Sequence, residues 1–213
     1  MSGFIIMDKP TGWTSHDVVA KMRGVLKERK IGHLGTLDPL ATGVLVLAVG
    51  RDATKQISQF MKLDKEYEAT MELGKVSDTY DTEGKVESLP IGDISEAKIL
   101  EVMATFWGET SQMPPAFSAK KINGKKAYEL ARAGLPVVLK PVMVKMRGWD
   151  ISIDMPIVKF KVEVSSGTYI RSLVHDIGQK LGCGAVLTAL RRTRVGDFKI
   201  EEAKKIEDFS AGV

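Results

Sequence analysis

The chain of 213 residues contains one cysteine, Cys183, and three histidines. A single thiol cannot close an internal disulfide, and this sparse His/Cys set offers no structural zinc site. Long apolar runs are also missing. The longest, Val44 to Val49, is far below the ~20 residues of a membrane helix. The opening Met-Ser-Gly-Phe-Ile-Ile-Met-Asp meets a charge too soon for a signal peptide, so a soluble, cytoplasmic protein is expected. No glycine is followed by Lys and then Ser or Thr, which excludes a phosphate-binding P-loop. Ser118-Ala119-Lys120-Lys121 has the S-x-x-K spacing of an acyl-enzyme serine but lacks the companion S-D-N and K-T-G segments.

What remains is an ordinary globular composition, 44% hydrophobic and 27% charged, able to bury a real core. At ~150 residues per domain the length allows one or two domains. The net charge of +4 is unevenly spread. Residues 1–60 carry eight basic and five acidic groups, residues 61–113 five and twelve, and residues 114–213 eighteen and ten. Within 114–147 Glu129 is the only acid among eight basic side chains. A polyanion partner fits this pattern, although solvated surface charge fits it too.

The hydrophobic pattern predicts a strand over 3–8 and a helix from a Thr14 or Ser15 cap to about Arg29, with Asp17 in its first turn. A Gly-rich loop over 31–39 leads to a strand over 43–49, and a short helix covers about 53–61. Tyr67, Ala69, Met71 and Leu73 alternate with Glu66, Glu68, Thr70 and Glu72, the period of a half-exposed strand. A turn-rich loop spans Asp78 to Gly84, and Ser95 opens a helix ending near Trp107. Pro114-Pro115 precedes a strand over 116–122 and an Asn123-Gly124 turn. Further elements are a helix from Lys126 to Ala133 closed by Gly134 and strands over 142–153 and 157–164. A helix over 169–181 ends at Gly182, and a terminal helix covers 201–209. These elements imply one α+β domain around a mixed sheet.

Two segments concentrate chemistry. Gly32-His33-Leu34-Gly35-Thr36-Leu37-Asp38-Pro39-Leu40-Ala41-Thr42-Gly43 puts three glycines, a histidine and a lone carboxylate just before a strand. With no second acid beside it, Asp38 does not suit a paired-carboxylate glycosidase. It suits a nucleophile or base kept ionised by a cation. Asp38-Pro39 reads equally well as a turn initiator. In the second segment, Ser165-Ser166-Gly167-Thr168-Tyr169-Ile170-Arg171, a strand gives way to a helix with Arg171 in its first turn. A cation there opposes the helix dipole and calls for an anion, for which Asp38 is a candidate; an exposed surface arginine is the alternative.

Seven short segments follow one another along the chain. They are Asp8-Lys9-Pro10 with Gly12 and Thr14-Ser15; Gly32-His33-x-Gly35-Thr36-Leu37-Asp38-Pro39 through Thr42-Gly43; and Lys65-Glu66-Tyr67. Then come Asp78-Thr79-x-Asp81-x-x-Gly84, Gln112-Met113-Pro114-Pro115-x-Phe117-Ser118-Ala119, Gly167-Thr168-Tyr169-Ile170-Arg171 and Leu190-Arg191-Arg192. Taken in this order they resemble the TruB family of tRNA pseudouridine synthases. The resemblance implies the pseudouridine-synthase fold, with a central, bent, largely antiparallel mixed sheet flanked by helices. It also implies an isomerase that converts the T-loop uridine (uridine-55) of tRNA to pseudouridine after flipping the base.

No metal and no cofactor are implied. Asp38 is the expected essential acid, Arg171 its partner, and Tyr67 the ring stacked on the flipped base. His33 is expected where the base leaves the loop, Tyr169 and Leu190 as pocket lining, and Lys9 as support for the pocket. Without the resemblance, Tyr67 and Leu190 read as core residues and His33 as a turn residue. An insertion over about 107–145, bearing Lys120, Lys121, Lys125, Lys126 and Arg132, is expected to grip the T arm, joined by Arg191, Arg192 and Arg194. The expected partner is the tRNA T stem-loop and the expected state a monomer. Residues 1–213 are expected to form a single catalytic domain without the C-terminal PUA-type module common in bacterial members. The alternatives are a non-catalytic tRNA-binding or folding module and a catalytic subunit of a guide-RNA-dependent complex.

Overall fold

The computed structural model describes residues 3–122 and 124–209. In chain order the elements are β1 (Gly3–Lys9), α1 (Ser15–Val25), β2 (Ile31–His33), β3 (Thr42–Val49), α2 (Arg51–Lys55), α3 (Ile57–Phe60) and β4 (Lys65–Leu73). The middle of the chain adds β5 (Lys75–Ser77), β6 (Val86–Ser88), α4 (Glu96–Ala104), β7 (Gly108–Gln112), β8 (Lys121–Ile122), β9 (Lys125–Lys126) and α5 (Ala127–Arg132). Then come β10 (Val142–Asp154), β11 (Ile157–Val164), α6 (Ile170–Leu181), β12 (Ala185–Val195) and β13 (Phe198–Lys199). The architecture is α+β on a mixed sheet: most pairings are antiparallel, while β3 with β12 is parallel. The chain divides into two compact units, Met1–Glu68 with Leu190–Val213, and Ala69–Ala189.

In the first unit β3 is central. β1 pairs with it antiparallel from Gly3 opposite Val49 to Lys9 opposite Gly43, and Arg191 and Arg192 of β12 lie parallel opposite Thr42 and Gly43. A strand hemmed in this way is apolar throughout, as Val44–Val49 is, and every residue of that run is fully buried. Leu34, Val44, Val46, Ala48, Ala53 and Val195 form the core, over which the rings of Phe4, Phe60 and Phe198 meet at 4.8 to 6.1 Å. Gly43 sits at φ +96°, and a Cβ there would run into the backbone of Arg192. Its lack of a side chain lets β3 and β12 approach just where the loop ends.

In the second unit β10 lies between β7 and β11, and α4 packs on α6; Ile99, Val102 and Met103 of α4 and Leu173, Val174 and Ile177 of α6 are buried. β4 follows its predicted alternation residue by residue: Tyr67, Ala69, Met71 and Leu73 are buried, and the intervening positions are not.

Other boundaries moved for identifiable reasons. α1 begins at the predicted cap, where Thr14 and Asp17 form a reciprocal capping box, but stops at Val25. Gly24 weakens its last turn, and Lys27 adopts φ +51°. The strand expected over 116–122 is reduced to Lys121–Ile122, paired with Lys125–Lys126; Asn123 of the expected turn lies outside the described residues. The terminal helix expected over 201–209 is instead two 3-10 turns, Ile200–Glu202 and Glu207–Phe209. β7 and β12 were not anticipated. Because Gly108–Gln112 pairs with Val142–Met146, the part of the 107–145 insertion outside the main sheet shrinks to about 113–141.

Candidate active site

The Asp38 loop connects β2 to β3, and its backbone is fastened from several sides. The hydroxyl of Ser15, at the start of α1, donates to the Leu37 carbonyl (3.1 Å) and accepts from the Leu37 N–H (2.8 Å). The Gly12 N–H donates to the Pro39 carbonyl at 2.9 Å. Lys9, fully buried at the end of β1, donates through Nζ to the carbonyls of Pro10 (2.9 Å), Trp13 (2.5 Å) and Pro39 (3.3 Å). The first motif thus folds back to bind the backbone on both sides of Asp38, whose side chain is half-buried. Carbonyl acceptors satisfy the ammonium that burial would otherwise penalise heavily.

From β12, Arg192 completes the fastening. Its Nε donates to Val44 O (2.8 Å), Nη2 to Gly35 O (3.1 Å) and Nη1 to Thr36 O (3.4 Å), and the residue is 1% exposed. This corrects the expected role of Arg192 as a phosphate contact, since an enclosed guanidinium offers nothing to RNA. Strand alternation places Arg191 on the opposite face, but its charge is matched there by a bidentate pair with Asp8 at 2.8 and 3.1 Å. Arg194 donates to Gly196 O at 3.1 Å. The proposed basic strip at 191–194 is therefore largely used within the unit.

Tyr67 and Leu190 are buried in this same unit, as a core reading also allows, and the Leu190 carbonyl accepts from Thr42 Oγ1 at 3.4 Å. His33 ends β2; burial pushes its pKa down, with the Gly35 backbone opposing and Arg192 adding to the fall. Lys65 lies two residues before Tyr67 on the same face of β4 and donates to Met61 O (3.0 Å) and Leu63 O (2.6 Å). Burial first, then the charge of Arg192, brings its pKa to about 8. A lysine depressed in the fold but normal in the unfolded chain costs stability while it is protonated. The cost fades as pH rises from about 8 toward its ordinary value of 10.5. In urea unfolding of wild type and Lys65→Met, the wild-type stability should gain on the variant between pH 7 and pH 10. A constant difference would refute the assignment.

The second unit holds Tyr169 and Arg171. Gln112, buried at the end of β7, grips the Tyr169 backbone with both ends of its amide: the Tyr169 N–H donates to Oε1 at 2.8 Å, and Nε2 donates to the Tyr169 carbonyl at 3.0 Å. Ser172 donates to Met113 O at 2.8 Å. Arg171 is buried, not a surface residue, and meets Asp81 at 3.5 Å while donating to Thr79 O (2.9 Å) and Phe117 O (2.8 Å). Asp81 supplies one anion for the cation at this helix start, and is itself held by Thr79 Oγ1 and the Glu83 N–H. The Asp78–Gly84 and Gln112–Ser118 segments are both anchored on the first turn of α6. Gly84 must lack a Cβ, which would strike oxygens of Asp78, Thr79 and Ser77. Tyr80, at φ +67°, stacks on His175 at 3.9 Å.

Of the insertion residues, Lys121, Lys125, Lys126 and Arg132 are exposed and Lys120 is half-buried. Among the described residues none of the five forms an ion pair. Lys126 and Arg132 flank the Tyr128 ring at 5.4 and 5.7 Å. No helix of the described residues is long and apolar enough to cross a membrane.

Comparison with known proteins gives the family. Residues 23–170 match the family model of the TruB family pseudouridylate synthase N-terminal domain, and residues 171–213 match that of the tRNA pseudouridylate synthase B C-terminal domain. The chain is 44% identical to tRNA pseudouridine synthase B of Opitutus terrae, covering 99% of this chain and 88% of that protein. It is 46% identical to the Clostridium acetobutylicum protein of the same name, covering 99% and 73%. Among solved structures, a Cbf5–Nop10–Gar1 complex matches with a TM-score of 0.75 at 38% identity, covering 97% of this chain and 53% of that one. An H/ACA RNP bound to a substrate RNA containing 2′-deoxyuridine matches at 0.71 and 36%, covering 97% and 51%. The chain thus spans about half the length of those solved chains. With a family model over most of its length and relatives this similar across nearly all of it, the chain belongs to the TruB family of pseudouridine synthases.

Proposed function

We propose that the chain acts as a tRNA pseudouridine synthase on the T-loop uridine, with Asp38 as its essential acid. The observation that carries this reading is the fastening of residues 35–39. A loop held by backbone bonds at 35, 36, 37 and 39 presents the intervening carboxylate at a fixed place. Such fixity is what positioned catalysis requires. In the reaction the bond from the ribose to N1 breaks, the uracil turns, and a bond from the ribose to C5 forms. The C5 proton leaves to water and N1 gains one. Tyr67, Tyr169, Leu190 and His33 are assigned to holding the extruded base. Arg171 is assigned to pairing with Asp38, in addition to its bonds with Asp81, Thr79 and Phe117. The exposed lysines of the 113–141 segment are assigned to T-arm phosphates, contacts that give affinity more than sequence choice. Residues 1–213 are read as one catalytic domain working as a monomer in the cytoplasm.

The proposal is tested with unmodified tRNA carrying tritium at C5 of uridine. Protein alone should release label to water at one equivalent per tRNA. Binding without release would favour a non-catalytic module, and release only with added partner proteins and guide RNA would favour a guide-dependent subunit. The names and identities of the curated relatives weigh toward the stand-alone enzyme.

A further inference from the structure

Arg192 is the least expected side chain in the molecule. It is among the largest fully buried ones, yet among the described residues its guanidinium meets no carboxylate within salt-bridge distance. Its bonds go to three carbonyls: Gly35 and Thr36, which lead into Asp38, and Val44, which follows the loop in β3. A buried cation answered only by neutral dipoles is a costly way to fill a core, and an apolar side chain of equal volume would be cheaper if packing were its only task. What an apolar residue could not do is tie the entry and exit of one loop together through a rigid, planar set of donors.

One of the three loop glycines fits that purpose directly: Gly43 is pressed against the Arg192 backbone. Gly35 is favoured by its φ of +88°, which brings its carbonyl to Arg192 Nη2. On the other side of Asp38, Ser15, itself 2% exposed, binds both the N–H and the carbonyl of Leu37.

We propose that Arg192 and Ser15 are positioning residues that fix the Asp38 carboxylate for catalysis from opposite sides of its loop, without touching the RNA. This rests on the assignment of Asp38 in the proposed function. Arg192 ties residues 35–36 to β3, Ser15 ties residue 37 to α1, and the side chain between residues 37 and 39 is left one location.

The test compares wild type, Arg192→Lys, Arg192→Met and Ser15→Ala. For each, the single-turnover rate of tritium release at saturating protein, the Kd for unmodified tRNA and the Tm are measured. Arg192→Met should lower the single-turnover rate by about 10²-fold, the loss expected from a small misplacement of a reacting group. Its Kd should stay within about twofold of wild type, the margin of a variant that loses no RNA contact. Arg192→Lys, which keeps the charge and some carbonyl bonds, should recover part of the rate, and Ser15→Ala should fall between the two. A loss carried by Kd instead of rate would make Arg192 an RNA contact and overturn the proposal. So would unchanged rates in the folded variants. Should the Arg192 variants fail to fold, an unchanged rate in Ser15→Ala overturns it alone. Wild type is the control that separates the two claims: if it releases no label, the functional reading has failed, not the positioning role.

Discussion

Asp38→Asn should lower tritium release by about 10⁴-fold or more, the scale set by losing an essential acid–base or nucleophilic group. tRNA affinity should stay within about twofold, since phosphate contacts lie elsewhere. The replacement keeps size and shape but removes the charge and the nucleophilic oxygen. The fastening of the loop runs through backbone atoms of residues 35, 36, 37 and 39, so it does not depend on the side chain at 38. A matching thermal transition would confirm that the loop survives. Undiminished release would remove Asp38 from the chemistry and leave the fastened loop without a purpose.

The second large effect concerns Asp81. It and Arg171 have side chains 2% and 6% exposed, and Asp81 also accepts from Thr79 Oγ1 and the Glu83 N–H. Asp81→Ala would remove one anion that faces the buried Arg171 cation at the positive end of α6 and would loosen the loop above it. Breaking a buried pair from one side costs about 3–5 kcal/mol. At ~2–4 °C per kcal/mol for a chain of this size, the Tm should fall by roughly 6–20 °C. The exposed pair Arg147–Glu163 supplies the comparison. Glu163→Ala should change stability by less than about 1 kcal/mol. If Asp81→Ala proved no more costly than Glu163→Ala, the account of Arg171 as a buried cation held by Asp81 would be wrong.

Local rules read well wherever one residue type had one dominant use. The period of two in β4, the Thr14 cap with Asp17 and the Gly182 stop after α6, at φ +79°, all appear as the pattern implied. β12 escaped because its buried positions include Arg192 and Thr193, polar residues that break the apolar pattern from which strands are recognised. β7, Gly-Glu-Thr-Ser-Gln, has no apolar residue at all; pairing with β10 makes it a strand. In the same way the dipole argument required an anion for Arg171, and the presence of Asp81 beside it rests on a contact 90 residues apart in the chain. Arg192 was misjudged for a related reason. An arginine beside another arginine reads as surface charge, and only the paired register of Arg192 with Gly43 reveals that it faces inward.

The most direct test of the central claim is position-resolved mapping of pseudouridine in an unmodified tRNA transcript, by mass after carbodiimide labelling, before and after incubation with the protein alone. The account predicts a single new pseudouridine, at the T-loop uridine, formed by wild type and absent with Asp38→Asn. A transcript recovered unchanged, or modified outside the T loop, would contradict it.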